Sequence, residues 1–304
     1  MDTKKINILI VAVFAIAFSY SLFWFLRSVF IYQYAFRFRF LSSYTPTLLG
    51  LTGLIIFITS KFKRSNLLRI YMCLVIISAP FSALFYIKIF QGANSPFLRP
   101  IAIPWTFYVS LFLYLSSLIT SIVGLRTLSF NKRANLSFFN DENEHTAQFF
   151  PAPAGLRFAN RLIDAVLILF VLWVNAPTIL SYFQFGYSIP PQVYFLLEIP
   201  FLLFYYLVLE GIFNTTAGKC ATNTTIVNMQ GQRPSFVQIL GRTFCRLIPF
   251  EAFSFLGESA RGWHDSLTNT YVTDSINRED FEMNEFTLDA ELNNNTNANY
   301  YSAG

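Results

Sequence analysis

Charge is what this sequence has least of. Only 13% of its 304 residues are Asp, Glu, Lys or Arg, about half the share carried by an ordinary soluble domain. With 54% hydrophobic residues, the chain lacks the polar surface a water-soluble globule of this size needs. Cysteine is scarce too. Cys73, Cys220 and Cys245 are odd in number and widely spaced, with no Cys-x-x-Cys pair, which argues against both a disulfide framework and a zinc site. Two histidines, His145 and His264, are too few for a histidine-based metal site. The Gly218-Lys219 pair invites a phosphate-loop reading that fails: six residues separate Gly211 from Gly218, and Cys220 stands where Ser or Thr is required. His264 and Asp265 are neighbours in sequence, but no Ser, Cys or ligand set is placed to complete a catalytic site around them. No enzyme activity and no cofactor are expected.

What the sequence has is long apolar runs. They predict an all-α, polytopic helical membrane protein with about six transmembrane helices, near Ile6–Leu26, Ser42–Ser60, Leu67–Phe90, Ile101–Gly124, Phe158–Tyr182 and Val193–Gly211. The first run is too long for a signal-peptide core and lacks a small-residue cleavage site, so it reads as an uncleaved span. Basic clusters at Lys4/Lys5, Lys61/Lys63/Arg64, Arg126/Lys132/Arg133 and Lys219/Arg233 recur after every second span. By the positive-inside rule they place the N-terminus in the cytoplasm and return the chain there after span six. The uncharged connector 184–191 fits the outer side. Arg27, Arg37 and Arg39 run against the pattern. The period-two aromatics around them, from Phe30 to Phe40, suggest an interfacial segment, strand-like or amphipathic, whose arginines snorkel to headgroups.

Four regions follow: a four-helix membrane region (1–124), a polar cytoplasmic linker (125–154), a second membrane domain (155–273) and a disordered, Asn-rich tail (274–304). The tail holds seven acids against Arg278, a sum of −6, so the rest of the chain carries +11. In a membrane protein that excess belongs to cytoplasmic loops rather than to nucleic-acid binding.

The second domain opens on Leu156–Asp164. On a helix Arg157, Asn160, Arg161 and Asp164 share roughly one face, which must point into protein because lipid offers these groups no partners. Glu198 lies about two turns into span six and Glu210 closes that span. Thr216, Gly218 and Lys219 follow, then a β-branched run at Thr224–Val227 and a turn at 228–232, which together predict a small cytoplasmic hairpin or flap. The stretch 236–255 is apolar but contains Arg242, Arg246, Pro249 and Glu251. It reads as an interfacial or re-entrant helix that breaks at Pro249 and tucks its basic face against the core. The last structured piece carries Arg261, His264, Asp265 and Thr270.

Taken in order, these motifs resemble the RDD family of bacterial membrane proteins, over residues 155–273. The family is named for one Arg and two Asp, which here fall at Arg157, Asp164 and Asp265. Asn214, Asn223 and Asn269 replace usual family glycines, and Asn tolerates positive φ well enough to keep the same turns. The apolar span that usually follows the Arg/Pro motif is shortened here. The resemblance implies a multi-pass protein of the bacterial inner membrane, and the basic clusters with six spans place its N-terminus and C-terminus in the cytoplasm. It also implies exchange of Na⁺, Li⁺ or K⁺ for protons, with Asp164 and Asp265 carrying the ion or proton, Arg157 tuning them and Glu210 supporting the site. The alternative is a non-transporting scaffold, a homo-oligomer or a membrane partner's assembly module, in which Arg242 and Arg246 hold anionic lipid or an acidic segment. The same acids equally suit structural salt bridges to Arg157, Arg161, Arg242 or Arg261.

Overall fold

Apolar runs of twenty and more residues become helices because the hydrocarbon layer leaves backbone groups no other partners. In the computed structural model, which describes residues 3–32, 38–93, 103–130, 132–134, 136–141, 144–149, 152–183, 191–248, 251, 254 and 262–277, six long helices form. They are α1 (Thr3–Tyr32), α2 (Phe38–Thr59), α3 (Asn66–Ala93), α4 (Trp105–Phe130), α5 (Ala154–Phe183) and α6 (Pro191–Phe213). Among the described residues five have the length and apolarity to cross a membrane, and α2 contributes a shorter apolar stretch, Tyr44–Thr59. The proposed interfacial segment between α1 and α2 has its centre, 33–37, outside the described residues; its flanks are helical rather than strand-like.

The bundle is centred on α3, which packs on α2, α4 and α5. Tyr71 meets Phe14 edge-on at 5.4 Å and Phe18 at 5.0 Å between ring centroids. Gly53 lets α2 approach the start of α3: a Cβ there would fall 2.7 Å from the Leu68 backbone nitrogen. Small residues at such crossings are the usual device of membrane bundles, where close van der Waals packing replaces the hydrophobic drive.

One end of the bundle carries a cap of short elements: α7 (Ala217–Thr222), β4 (Thr224–Asn228), α8 (Phe236–Cys245), α9 (Trp263–Thr268) and β5 (Thr270–Asn277). Local chemistry fixes each boundary. Thr216 caps α7 by accepting from the Lys219 amide, and Asn223 ends it at φ 54°. Ser235 and Gln238 form a reciprocal capping box that opens α8. Asn269 ends α9 at φ 51°.

Three expectations change here. Thr224–Asn228 is a strand, but it forms no local hairpin: it pairs antiparallel with β5, Ile226 opposite Val272. The stretch read as a plain linker supplies β1 (Lys132–Ala134), the other neighbour of β5, giving the order β1-β5-β4. It also supplies a separate hairpin of β2 (Leu136–Asp141) and β3 (Glu144–Phe149). Strand β5 runs to Asn277, past the boundary drawn at 273. The pairings of β5 with β4 and β1 are non-local and short, so no sequence period announces them. The ten-residue α8 is too short to span a bilayer. Pro249 and Arg261 lie outside the described residues.

Candidate functional site

The cap closes over charged side chains that the sequence scatters across more than a hundred residues. Helix α5 turns its Arg157, Asn160 and Asp164 inward, 5%, 6% and 1% exposed, while Phe158 and Leu162 face out. Gly218 permits the close approach of α7, because any Cβ there would collide with the backbone carbonyl of Asn160. The Asn160 amide donates to Thr224 Oγ1 at 2.9 Å and its carbonyl accepts from Thr222, which ties α5 to α7 and β4.

Two carboxylates gather the cations. Glu210, fully buried at the end of α6, receives Lys219 Nζ at 2.7 Å, Arg246 Nη2 at 2.6 Å and Arg242 Nε at 3.5 Å. Asp265 sits between Arg157 and Arg242, and Arg242 also donates to Thr270. Arg242 of α8 and Arg246, the residue that ends it, therefore face the core, four residues apart. Arg246 lies over the Tyr206 ring at 3.8 Å, and Arg161 donates to the Tyr206 hydroxyl at 2.9 Å. His264 contacts Glu251 through Nδ1 and lies 3.5 Å from Asp265 through Nε2.

Asp164 is held differently. It accepts from the Tyr205 hydroxyl at 2.6 Å, the Thr216 hydroxyl at 2.8 Å and the Gly218 amide at 2.7 Å. Among the described residues no Lys or Arg nitrogen bridges it. The expected pairing with Arg157 or Arg161 is not made: Arg157 goes to Asp265 and Arg161 to Tyr206.

Burial and like charge set the electrostatics of the cap. Burial pushes Lys219 below the usual lysine range against the pull of Glu210. Arg242 is lowered to about 10 by burial, with Arg246 and Arg157 adding and Glu210 opposing. Burial also drives Arg246 down, but Glu210, Tyr206 and Glu251 outweigh it and the net shift is upward. His264 falls well below the usual imidazole range through burial first and then Arg242, Arg246, Arg157 and Lys219. That shift favours the neutral ring.

The sequence-identified residues Arg157, Asn160, Asp164, Glu210, Thr216, Gly218, Lys219, Arg242, Arg246, His264, Asp265 and Thr270 meet at this one site, with Arg161 at its edge. Sequence reasoning missed Tyr205, Tyr206 and the role of Glu251. Tyr206 was within reach, since it precedes Glu210 by four residues and shares its face. Glu198 is separate: it lies twelve residues from Glu210 on α6, about 18 Å at helical rise, beside a groove lined by Val166, Leu169 and Trp173.

A second feature lies further along the buried face of α5. A cavity of about 350 Å³ opens among α1 to α5, lined by Ser21, Thr47, Ser78, Ser82, Ser117 and Asn175 as well as apolar side chains.

Membrane-length helices sealed at one end by a buried ion-pair cap define a multi-pass integral membrane protein. The RDD family model matches residues 151–269, so the segment that builds α5, α6 and most of the cap is an RDD domain. No curated protein and no solved structure matches it.

Proposed function

We propose that the protein is a secondary transporter that exchanges a monovalent cation, Na⁺, Li⁺ or K⁺, for a proton, and that Asp164 is the exchanging carboxylate. The observation that carries this reading is the contrast among the buried acids. Glu210 and Asp265 are each bound by two or more cationic side chains, so releasing either to carry an ion would strand buried positive charge. Among the described residues, the hydrogen bonds to the Asp164 carboxylate come from neutral donors. Its two oxygens, with the Tyr205 and Thr216 hydroxyls beside them, are hard oxygen ligands of the type that suit Na⁺ or Li⁺. A carboxylate that gives up one proton to take one monovalent cation keeps the same net charge in both loaded states.

The hydroxyl-lined cavity supports the same reading. It begins around Phe170 and Val171 of α5, about 10 Å along the helix from Asp164, and sets several hydroxyls among mostly apolar walls. In this reading the chain lies in the bacterial inner membrane with both termini and the charged cap in the cytoplasm, as the basic clusters direct.

The test uses everted membrane vesicles and a pH-sensitive dye, with Na⁺, Li⁺ and K⁺ added in turn. The parent protein collapses the proton gradient on cation addition. Asp164→Asn, of the same size and still able to accept hydrogen bonds, inserts normally and does not. Equal transport by the variant would remove Asp164 from the ion path.

A non-transporting scaffold is the second reading, favoured by the outward face of α8 and α9. Phe236, Val237, Phe244, Trp263 and Leu267 are 46–75% exposed there, a surface suited to lipid or a membrane partner. Arg242 and Arg246 do not serve that role, because both are turned inward onto Glu210. No cation response from well-inserted protein, with a constant co-purifying partner, would select this reading.

A further inference from the structure

Of the two acids of α6, the cap uses Glu210 and leaves Glu198 aside. Glu198 lies about 10 Å into the helix from Pro191, within the membrane-length stretch Leu196–Phe213. It is half-buried, and among the described residues no ion pair or hydrogen bond holds its carboxylate. An acid at that depth is costly, and the default reading of such a residue is a functional site. What lies beside it decides the kind of ligand. The groove it borders holds about 470 Å³, within the range of sites for small organic molecules. The facing wall is a stripe of α5: Val166, Leu169, Phe170 and Trp173 follow the i, i+3, i+4, i+7 spacing of one helical face. All four fall inside the span Ala154–Ala176. Val166 and Leu169 are 59% and 53% exposed, so the groove opens sideways to the hydrocarbon layer. Asp164, turned into the core, lies on the opposite face of α5.

We propose that this groove binds a lipophilic organic monocation, a quaternary ammonium or phosphonium ion with an apolar body, whose charge sits between the Glu198 carboxylate and the Trp173 indole. Each part of the wall excludes a different alternative. A bare metal cation needs several oxygen ligands to replace its water, and the side chains that face Glu198 here are hydrocarbon and aromatic rings. An anion meets like charge, with no Lys or Arg in the lining. A lipid chain or a neutral apolar molecule leaves the carboxylate uncompensated. A cation that carries its own apolar surface meets all three conditions. Its charge goes to Glu198, its body to the α5 stripe, and Trp173 offers the aromatic face that attracts cations best. The bilayer is the route in, because the exposed wall of the groove faces lipid. This inference does not draw on exchange at Asp164 and is tested by binding rather than transport.

The experiment is equilibrium dialysis of the full-length protein in a neutral detergent with radiolabelled tetraphenylphosphonium. Tetraphenylborate, an ion of the same shape and opposite charge, is its counterpart. Tetraphenylphosphonium should bind saturably and tetraphenylborate should not. Glu198→Gln should weaken binding about tenfold or more, as loss of a poorly solvated charge partner implies. Its unfolding temperature should stay near the parent's, since the described contacts of the bundle do not use this carboxylate. Leu169→Trp keeps the carboxylate but fills the groove, and should weaken binding as well. Should Glu198→Gln not fold, Leu169→Trp and the two opposite ions on the parent decide the matter. Undiminished binding in a folded variant, or equal binding of the two ions, would overturn the proposal. So would the absence of saturable binding, which would leave Glu198 to a proton or, if Glu198→Gln splits a parent dimer, to a second helix.

Discussion

A carboxylate between two guanidinium groups is worth most when it cannot be replaced by water. Asp265 is fully buried and serves Arg157 and Arg242 together, so Asp265→Asn should lower stability by about 3–5 kcal/mol, the usual cost of breaking a buried pair from one side. Thermal unfolding in detergent reads this directly. Asp164→Asn should cost less, since its partners are neutral donors that an amide oxygen can still serve in part. His264 gives the site a pH dependence of fixed sign. An unfolded chain protonates this ring near its ordinary value of about 6.5, while the folded protein does so only at lower pH. Between those two values the unfolded state binds more protons, so this group's contribution to stability is full above about 6.5 and declines as pH falls. His264→Gln should flatten that acid-side slope in unfolding scans taken at successive pH values.

At the scale of elements, the cap is assembled by close approach rather than by large apolar faces. Helix α7 has six residues and could not persist alone. It is held by Thr216, by Asp164 reaching its Gly218 amide, and by contact of Gly218 with the backbone of Asn160. Gly218→Ala must push α7 off α5, because a backbone carbonyl cannot turn aside as a side chain can. About 1–3 kcal/mol of overpacking strain is expected, together with loss of the Asp164 hydrogen bonds. Reduced unfolding temperature, with greater protease sensitivity near 217–222, would report it. The three asparagines at positive φ, Asn214, Asn223 and Asn269, show how the same turns are kept without glycine.

At the scale of the molecule, alternation of the six long helices sets the α3 and α5 starts and the α2, α4 and α6 ends on one side. Arg69 at the start of α3 reaches both Ser129 of α4 and Thr215 after α6, so the N-terminal bundle and the RDD domain meet directly beneath the cap. The orientation proposed above is checked by labelling single cysteines in a Cys245→Ser background, where Cys73 and Cys220 are buried. A membrane-impermeant maleimide should modify Met229→Cys only in everted vesicles and Trp105→Cys only in intact cells. Both positions are exposed, at 53% and 73%. The reverse pattern would invert the topology and place the charged cap outside.

Hydrophobic run length determined the membrane class and the approximate helices, because a bilayer forces an apolar stretch of that length into one conformation. The helical face of Arg157, Asn160 and Asp164 was legible for the same reason: a fixed period puts fixed spacings together. Pairing was not. Arg157 could be matched with Asp164, seven residues away, and only the tertiary structure sends it to Asp265, more than a hundred residues on. Nor could the sequence give β4 its partner β5, the register of β1, or Tyr205 as the donor to Asp164. Periodicity is a property of one segment. Which buried charge meets which depends on several segments closing on a common space, and that is settled only when they have packed.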